Sequence, residues 1–186
     1  MPDGTAFDVR ALLDAGAVPY GPGLTAAELA AVEDAYGFRF APDHRELLTG
    51  ALPLGAGWPD WRDGGAAKLK AQLSLPAAGV LFDVEHAAFW PTAWGPRPAQ
   101  LRHALKSARW HLAKAPTLVP LHANHYLPAA PAGPGHPVLA IRRTEVTVIH
   151  GSLSDYLRTD LTNTEAPTTP PPSTVPFWSD LIAGSA

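Results

Sequence analysis

Residues 118–151, LVPLHANHYLPAAPAGPGHPVLAIRRTEVTVIHG, decide the fold. Four short apolar runs lie in this stretch: Leu118 to Leu121, the pair Tyr126-Leu127, Val138 to Ile141 and Val146 to Ile149. Each is about the length of a strand, and each is parted from the next by Pro, Gly or charged residues that favour turns. Short strands joined by turns pair as antiparallel neighbours. Immediately upstream, Pro98 to Lys114 has a helical period, with Leu101, Leu105, Ala108 and Leu112 as its inward stripe and Pro116 ending it. Arg102, Lys106 and Arg109 repeat that spacing one residue on, which sets a basic ridge beside the buried face. Immediately downstream, Ser152 with Asp155 three residues on opens a further helix through Leu161.

Nearer the N-terminus, Leu24-Thr25-Ala26-Ala27-Glu28-Leu29 carries a complete helix start. Thr25 can cap the backbone, Glu28 can reach back, and Leu24 can staple to Leu29. Leu29, Val32 and Tyr36 form the buried stripe of this helix, and Gly37 supplies a left-handed residue at its end. Pro42 suits the first turn of a second helix, which continues through His44 to Thr49 and stops at Gly50. Residues 51–65, ALPLGAGWPDWRDGG, place Trp58 and Trp61 in a Gly- and Pro-rich loop, where large aromatics are costly to leave wet, so both should dock on the core. Lys68 to Leu75 reads as a short amphipathic helix, Gly79 to Val84 as a buried strand, and the Trp90 and Trp94 region as a second aromatic loop. The predicted fold class is α+β, a mostly antiparallel sheet flanked by helices.

The 186 residues fit a single domain, assigned to 1–161. Residues 162–176, TNTEAPTTPPPSTVP, have no apolar period and read as a Pro/Thr-rich linker outside the core, after which 177–186 should dock back on the domain. Cysteine is absent, which excludes thiol catalysis, zinc-thiolate sites and disulfides. The first 21 residues lack the pattern of a secretory signal, and no window reaches the roughly 18 apolar residues of a membrane span, so the expectation is a cytoplasmic protein with no membrane contact. The formal net charge is −3 and unevenly spread, because residues 97–143 hold seven Lys and Arg and all 17 acids lie elsewhere. An overall pI near 6.2 is far from the basic balance of a dedicated nucleic-acid binder, and none is expected as partner.

Catalytic chemistry finds little support in the residue patterns. HExxH, GxSxG and phosphate-cradling Gly-rich loops do not occur. The odd separation of His122 and His125 would put their rings on opposite faces of a strand, poor geometry for a shared metal, and these two with His136 and His150 read as surface or half-buried rings with satisfied hydrogen bonds. Asp60 and Asp63 read as turn caps around the tryptophans, and Asp83 and Glu85 as flanking a strand end. Arg102, Lys106 and Arg109 with Trp110 could offer a polyanion a stacking platform, against the plainer reading of a solvated face. For protein binding, the aromatic and Arg enrichment of interface hot spots nominates Trp58, Trp61, Arg62, Trp90 and Trp94. An acidic patch from Glu28, Glu33, Asp34 and Asp43 could complement a basic partner protein, and His125 completes the candidates.

The order of these pieces resembles the bacterial SUKH superfamily, related to a fungal regulator of cell-wall synthesis and rich in immunity proteins against polymorphic toxins. The similarity rests on GLTAAELAAVEDAYGFRFAPDHRELL at Gly23 to Leu48, WPDWRDG at Trp58 to Gly64, and GVLFDVE at Gly79 to Glu85. It continues through LVPLHANHYLP at Leu118 to Pro128, GHPVLAI at Gly135 to Ile141, TEVTVIHG at Thr144 to Gly151 and LSDYL at Leu153 to Leu157. Two departures stand out: Asn124-His125-Tyr126 replaces a common His-Arg-Tyr run, and Glu145 stands where Asp commonly precedes the penultimate strand. The resemblance implies an α+β module that neutralises a toxin domain by direct complex formation, without catalysis, cofactor or metal. Its alternatives are a regulatory adaptor of the same fold or, less favoured, a histidine-dependent hydrolase.

Overall fold

Alternation along four strands divides the interior into layers. The computed structural model describes residues 8–130, 135–161 and 175–182. Strands β3 (Leu118–His122), β4 (His125–Pro128), β5 (Val138–Arg142) and β6 (Glu145–His150) form an antiparallel sheet in chain order. Successive side chains in a strand point to opposite faces. Leu118, Tyr126, Leu139, Ile141, Val146 and Val148 therefore share one face and one core cluster. Leu121, Leu127 and Val138 belong to a second cluster, and Val119 to a third, on the other side. Both faces are covered, so the protein is α+β with helices flanking its sheet, as the sequence predicts.

On the first face lie α4 (Ala66–His86), α5 (Leu101–Leu112) and the short α7 (Trp178–Ile182). On the other lie α1 (Val9–Ala15), α3 (Pro42–Gly50) and α6 (Leu153–Thr159), with α2 (Ala26–Tyr36) and Trp61 around the third cluster. A two-residue ladder of β1 (Tyr20–Gly21) with β2 (Leu52–Pro53) ties the ends of this layer together. The expected caps form. Thr25 Oγ1 accepts from the Glu28 N–H at 3.2 Å while Glu28 accepts from the Thr25 N–H at 2.7 Å, and Gly37 is left-handed at φ 72°. Ser152 Oγ accepts from the Asp155 N–H at 3.1 Å, although α6 stops at Thr159, short of Leu161.

Three expectations need correction. Gly79 to Val84 is not a strand but the second half of α4, a 21-residue helix that runs through Pro76. Pro76 cannot donate to the carbonyl four residues earlier, that of Gln72. Tyr126 reaches across from β4 and donates its hydroxyl to that oxygen at 3.4 Å, so the freed acceptor keeps a partner. Val80 and Val84, four apart, are fully buried on the face that meets the sheet. On α5 the buried stripe is Ala104, Ala108 and Leu112, while Leu101 is 40% exposed, a rotation that lets small alanines approach α4 closely. Of the linker, residues 162–174 lie outside the described residues, but Val175 is buried and belongs to the first core cluster.

Within the C-terminal segment, Trp178 and Leu181 pack into the first core cluster. Trp178 is 3% exposed and its Nε1 donates to the Pro116 carbonyl at 2.8 Å. Helix α1, capped by Asp8 accepting from the Ala11 N–H, is an element that the sequence reading does not single out.

Replacing Tyr126 with Phe should lower stability by about 1 kcal/mol in urea unfolding, the usual worth of a buried hydrogen bond. In a Pro76→Ala background, where the substituted residue supplies the N–H that Gln72 lacks, the same change should cost measurably less, and a double-mutant cycle showing no coupling would contradict this account.

Candidate functional site

The loop tryptophans are committed to the core. Trp58 is 7% exposed, packed in the second cluster and laid against the His122 ring at 4.7 Å between centroids. Trp61 is 4% exposed and meets Phe40 edge-to-face at 5.2 Å. The expected docking of both is therefore found, but neither indole is offered to a partner. Arg62 is equally committed: Nε donates to Glu28 at 2.6 Å, Nη1 to the Pro22 carbonyl and Nη2 to the Gly23 carbonyl, both at 3.1 Å. It staples the loop to the start of α2, and its guanidinium holds the Glu28 carboxyl down at about 2. Asp60 acts as the predicted turn cap, accepting from the Arg62 and Asp63 N–H groups.

Trp90 and Trp94 are half-buried and built into an internal stack. Trp90 donates to the Gly95 carbonyl at 2.8 Å and meets Trp94 edge-on, and Trp94 stacks on His111 of α5 and on Phe177 beside α7. These rings join the second aromatic loop to the C-terminal segment. As partner anchors they are thus largely occupied by the chain itself.

The residues of the acidic patch are likewise paired within the molecule. Glu33 is 3% exposed, receives the Arg45 guanidinium on both oxygens at 2.9 and 2.8 Å, and accepts from the buried Phe40 N–H at 2.9 Å. Asp34 pairs with Arg39 at 2.8 Å and Asp43 accepts from the His44 N–H. Asp83 lies on α4, buried, and accepts from the Thr144 N–H and hydroxyl at 3.2 and 2.8 Å, which fastens the helix to the β5–β6 turn. Charge counting does not reveal that each of these acids has a partner of its own.

The histidine reading is corrected by a turn. Ala123 and Asn124 form the tip of the β3–β4 hairpin, with Ala123 at φ 51°, so His122 and His125 are cross-strand partners on one face and not successive residues of a single strand. Both Nδ1 atoms point at the Tyr156 hydroxyl, from 3.2 and 3.0 Å. His122 Nε2 lies 3.3 Å from the Ala56 carbonyl, which can only accept. This contact suits a proton on His122 Nε2, which leaves its Nδ1 to accept from Tyr156 while His125 donates from its own Nδ1 to Tyr156. Burial lowers the His125 pKa and raises that of Tyr156. His150 sits beside it, 3.1 Å from Asp160 through Nε2. This relay can orient rings and pass a proton, yet it serves first to lock the hairpin tip to α6. Among the described residues, no three His, Asp or Glu side chains gather in a group able to hold a metal ion.

What remains open lies on the opposite face of the sheet. Among the described residues, the large apolar side chains left exposed are Leu75 and Phe82 on α4 and Leu101 and Trp110 on α5. Leu75 and Phe82 line an open groove of about 370 Å3 between α4 and the β3–β4 and β5–β6 turns, with Tyr126 and Ile141 at its floor and Arg143 at its rim. Arg143 lies over the Phe82 ring at 4.2 Å and 3.7 Å from Asp83. No sequence signal separates these residues from core positions, because the outward turn of Leu75, Phe82 and Leu101 depends on how α4 and α5 seat. Trp110 alone stands out in the sequence, as a stacking platform, and it is 56% exposed.

Comparison with family models, with curated proteins and with solved structures finds no match for this chain. No helix among the described residues is long and apolar enough to cross a membrane.

Replacing Glu33 with Ala leaves the buried Phe40 N–H unpaired and frees Arg45, and should cost about 2–4 kcal/mol in urea unfolding. Asp34→Ala removes only an exposed pair and should cost under about 0.5 kcal/mol; equal losses would contradict the difference in burial.

His44 is fully buried, without a partner for Nδ1, and burial pushes its pKa from the usual 6.5 down to about 3. Between those values the unfolded chain binds a proton that the folded chain refuses, so this contribution is present above pH 6.5 and is lost as pH falls towards 3. The full effect is on the order of 5 kcal/mol. Urea midpoints of His44→Phe should fall less steeply between about pH 6.5 and 4 than those of the parent, and parallel pH profiles would contradict the assignment.

Proposed function

We propose that the chain is a non-catalytic protein-binding module of the cytoplasm that neutralises a polymorphic toxin by direct complex formation, as its SUKH-like order of motifs implies. The observation that carries this reading is the confinement of exposed large apolar side chains, among the described residues, to the paired helices α4 and α5. Singly exposed apolar side chains are ordinary, but contiguous apolar patches mark interaction sites, and Leu75 and Phe82 lie together along one groove. Leu75 and Phe82 beside an open groove, with Arg143 at hand, match the mixture of apolar anchor and arginine that carries binding energy at interfaces. The same observation moves the expected interface away from the loop tryptophans and the acidic residues, which are committed within the molecule. It also gives the histidine relay a structural role, since its tyrosine and both Nδ1 atoms are already satisfied.

The proposal expects a toxin domain in the neighbouring coding sequence, and co-expression with that domain tests it. The parent should restore growth and co-elute with the toxin, while Leu75→Asp with Phe82→Asp should lose both, at a melting temperature within a few degrees of the parent. Unimpaired protection by that variant would overturn the interface. Turnover of a small compound that disappears in His125→Ala would overturn the function itself.

A further inference from the structure

The outward face of α5 has a composition unlike the rest of the molecule. Arg102, Lys106 and Arg109 stand at steps of four and three along it, a ridge about 10 Å long. All three are exposed, and among the described residues no carboxylate lies within ion-pair distance of any of them; Arg102 Nε donates only to the Gln100 side chain, at 3.0 Å. Trp110 lies on the same side, 56% exposed. Its ring is held in place by the Lys114 ammonium, 3.2 Å above the centroid, and by the edge contact with His111. An aromatic group already fixed by its own neighbours loses little freedom on binding. The contrast with the acids is sharp: Glu28, Glu33, Asp34 and Asp83 each have a cationic partner, whereas the three ridge cations have no anionic one among the described residues.

Resting on the protein-binding reading above, we propose that α5 docks an acidic segment of the partner protein, its carboxylates on Arg102, Lys106 and Arg109 and an apolar side chain against Trp110. Two polyanions could use such a ridge, and the charge of the whole molecule chooses between them. All 17 acids lie outside residues 97–143, and the chain is net negative at −3. A nucleic-acid strand, charged along its full length, is repelled by a chain of net negative charge, whereas a protein presents carboxylates over a short patch and can be neutral or basic beyond it.

The test uses the full chain and three probes: a helical peptide with Glu spaced to face the ridge and one Leu beside them, a scrambled peptide of equal charge, and a single-stranded DNA oligonucleotide. Titrations are read by tryptophan fluorescence and calorimetry. The patterned peptide should bind more tightly than the scrambled one. Arg102→Glu with Lys106→Glu and Arg109→Glu, or Trp110→Ala, should weaken it by about tenfold or more, with the melting temperature kept because these side chains are exposed. The DNA should show no binding that the triple variant abolishes. A patterned peptide that fails to bind, or that binds the variants as well as the parent, overturns the proposal, and so does DNA binding lost on charge reversal. The same variants in the toxin co-expression assay separate the two levels. A toxin held equally by parent and triple variant overturns the α5 site and leaves the binding function standing, whereas a parent that holds no toxin overturns the function.

Discussion

The seat of α4 on the sheet is the constraint on which the rest of the molecule depends. Three positions on one side of this helix make it. Pro76 frees the Gln72 carbonyl for the Tyr126 hydroxyl; Gly79 lies where a Cβ would come within 2.7 Å of Arg143 Cα; and Asp83 accepts both hydrogen bonds of Thr144. A larger residue at position 79 would have to push backbone against backbone, because no flexible side chain is there to give way. With α4 held at this distance, Val80 and Val84 enter the core beside Ala104 and Ala108 of α5, and Leu75 and Phe82 are left facing outward. The exposed apolar surface thus follows from the close packing beneath it.

Electrostatics divides the molecule in a complementary way. In the half rich in acids, Arg39, Arg45 and Arg62 pair with Asp34, Glu33 and Glu28 while tying helix ends and loops together. Glu33, buried, accepts two guanidinium bonds and a backbone N–H, and so has little hydrogen-bonding capacity left for a partner. Among the described residues, the ridge of α5 lacks such pairing. Protein association is steered by charge and anchored by desolvated aromatic and aliphatic groups, and this side of the molecule combines the two.

How much of this is legible in the sequence follows from how local each signal is. The capping box at Thr25 and Glu28, the left-handed Gly37 and the cap at Ser152 are decided within a few residues, and all are found. The sheet is legible because turn residues part its runs and burial alternates along β6. Pro76 hides the length of α4, because a proline breaks a helix by its local chemistry and only a tyrosine from β4, distant in the chain, offsets the loss. The histidines mislead for a related reason: a two-residue turn between His122 and His125 reverses the face rule for a strand. Periodicity on α5 finds Ala108 and Leu112 but takes Leu101 as inward, where close helix packing buries Ala104 instead. Docking of Trp58 and Trp61 is legible from the cost of wetting them, and the same burial removes them as anchors. The candidate site is the least legible part, since which apolar groups stay outside is settled by contacts far apart in the chain.

Hydrogen exchange of the chain alone and in complex with the partner proposed above tests the central claim most directly. Binding by the two-helix layer predicts new protection across α4, α5 and the β5–β6 turn, with the 51–65 loop and the hairpin around His122 and His125 unchanged. Protection centred on that loop or hairpin, with α4 and α5 exchanging as in the free chain, would contradict it.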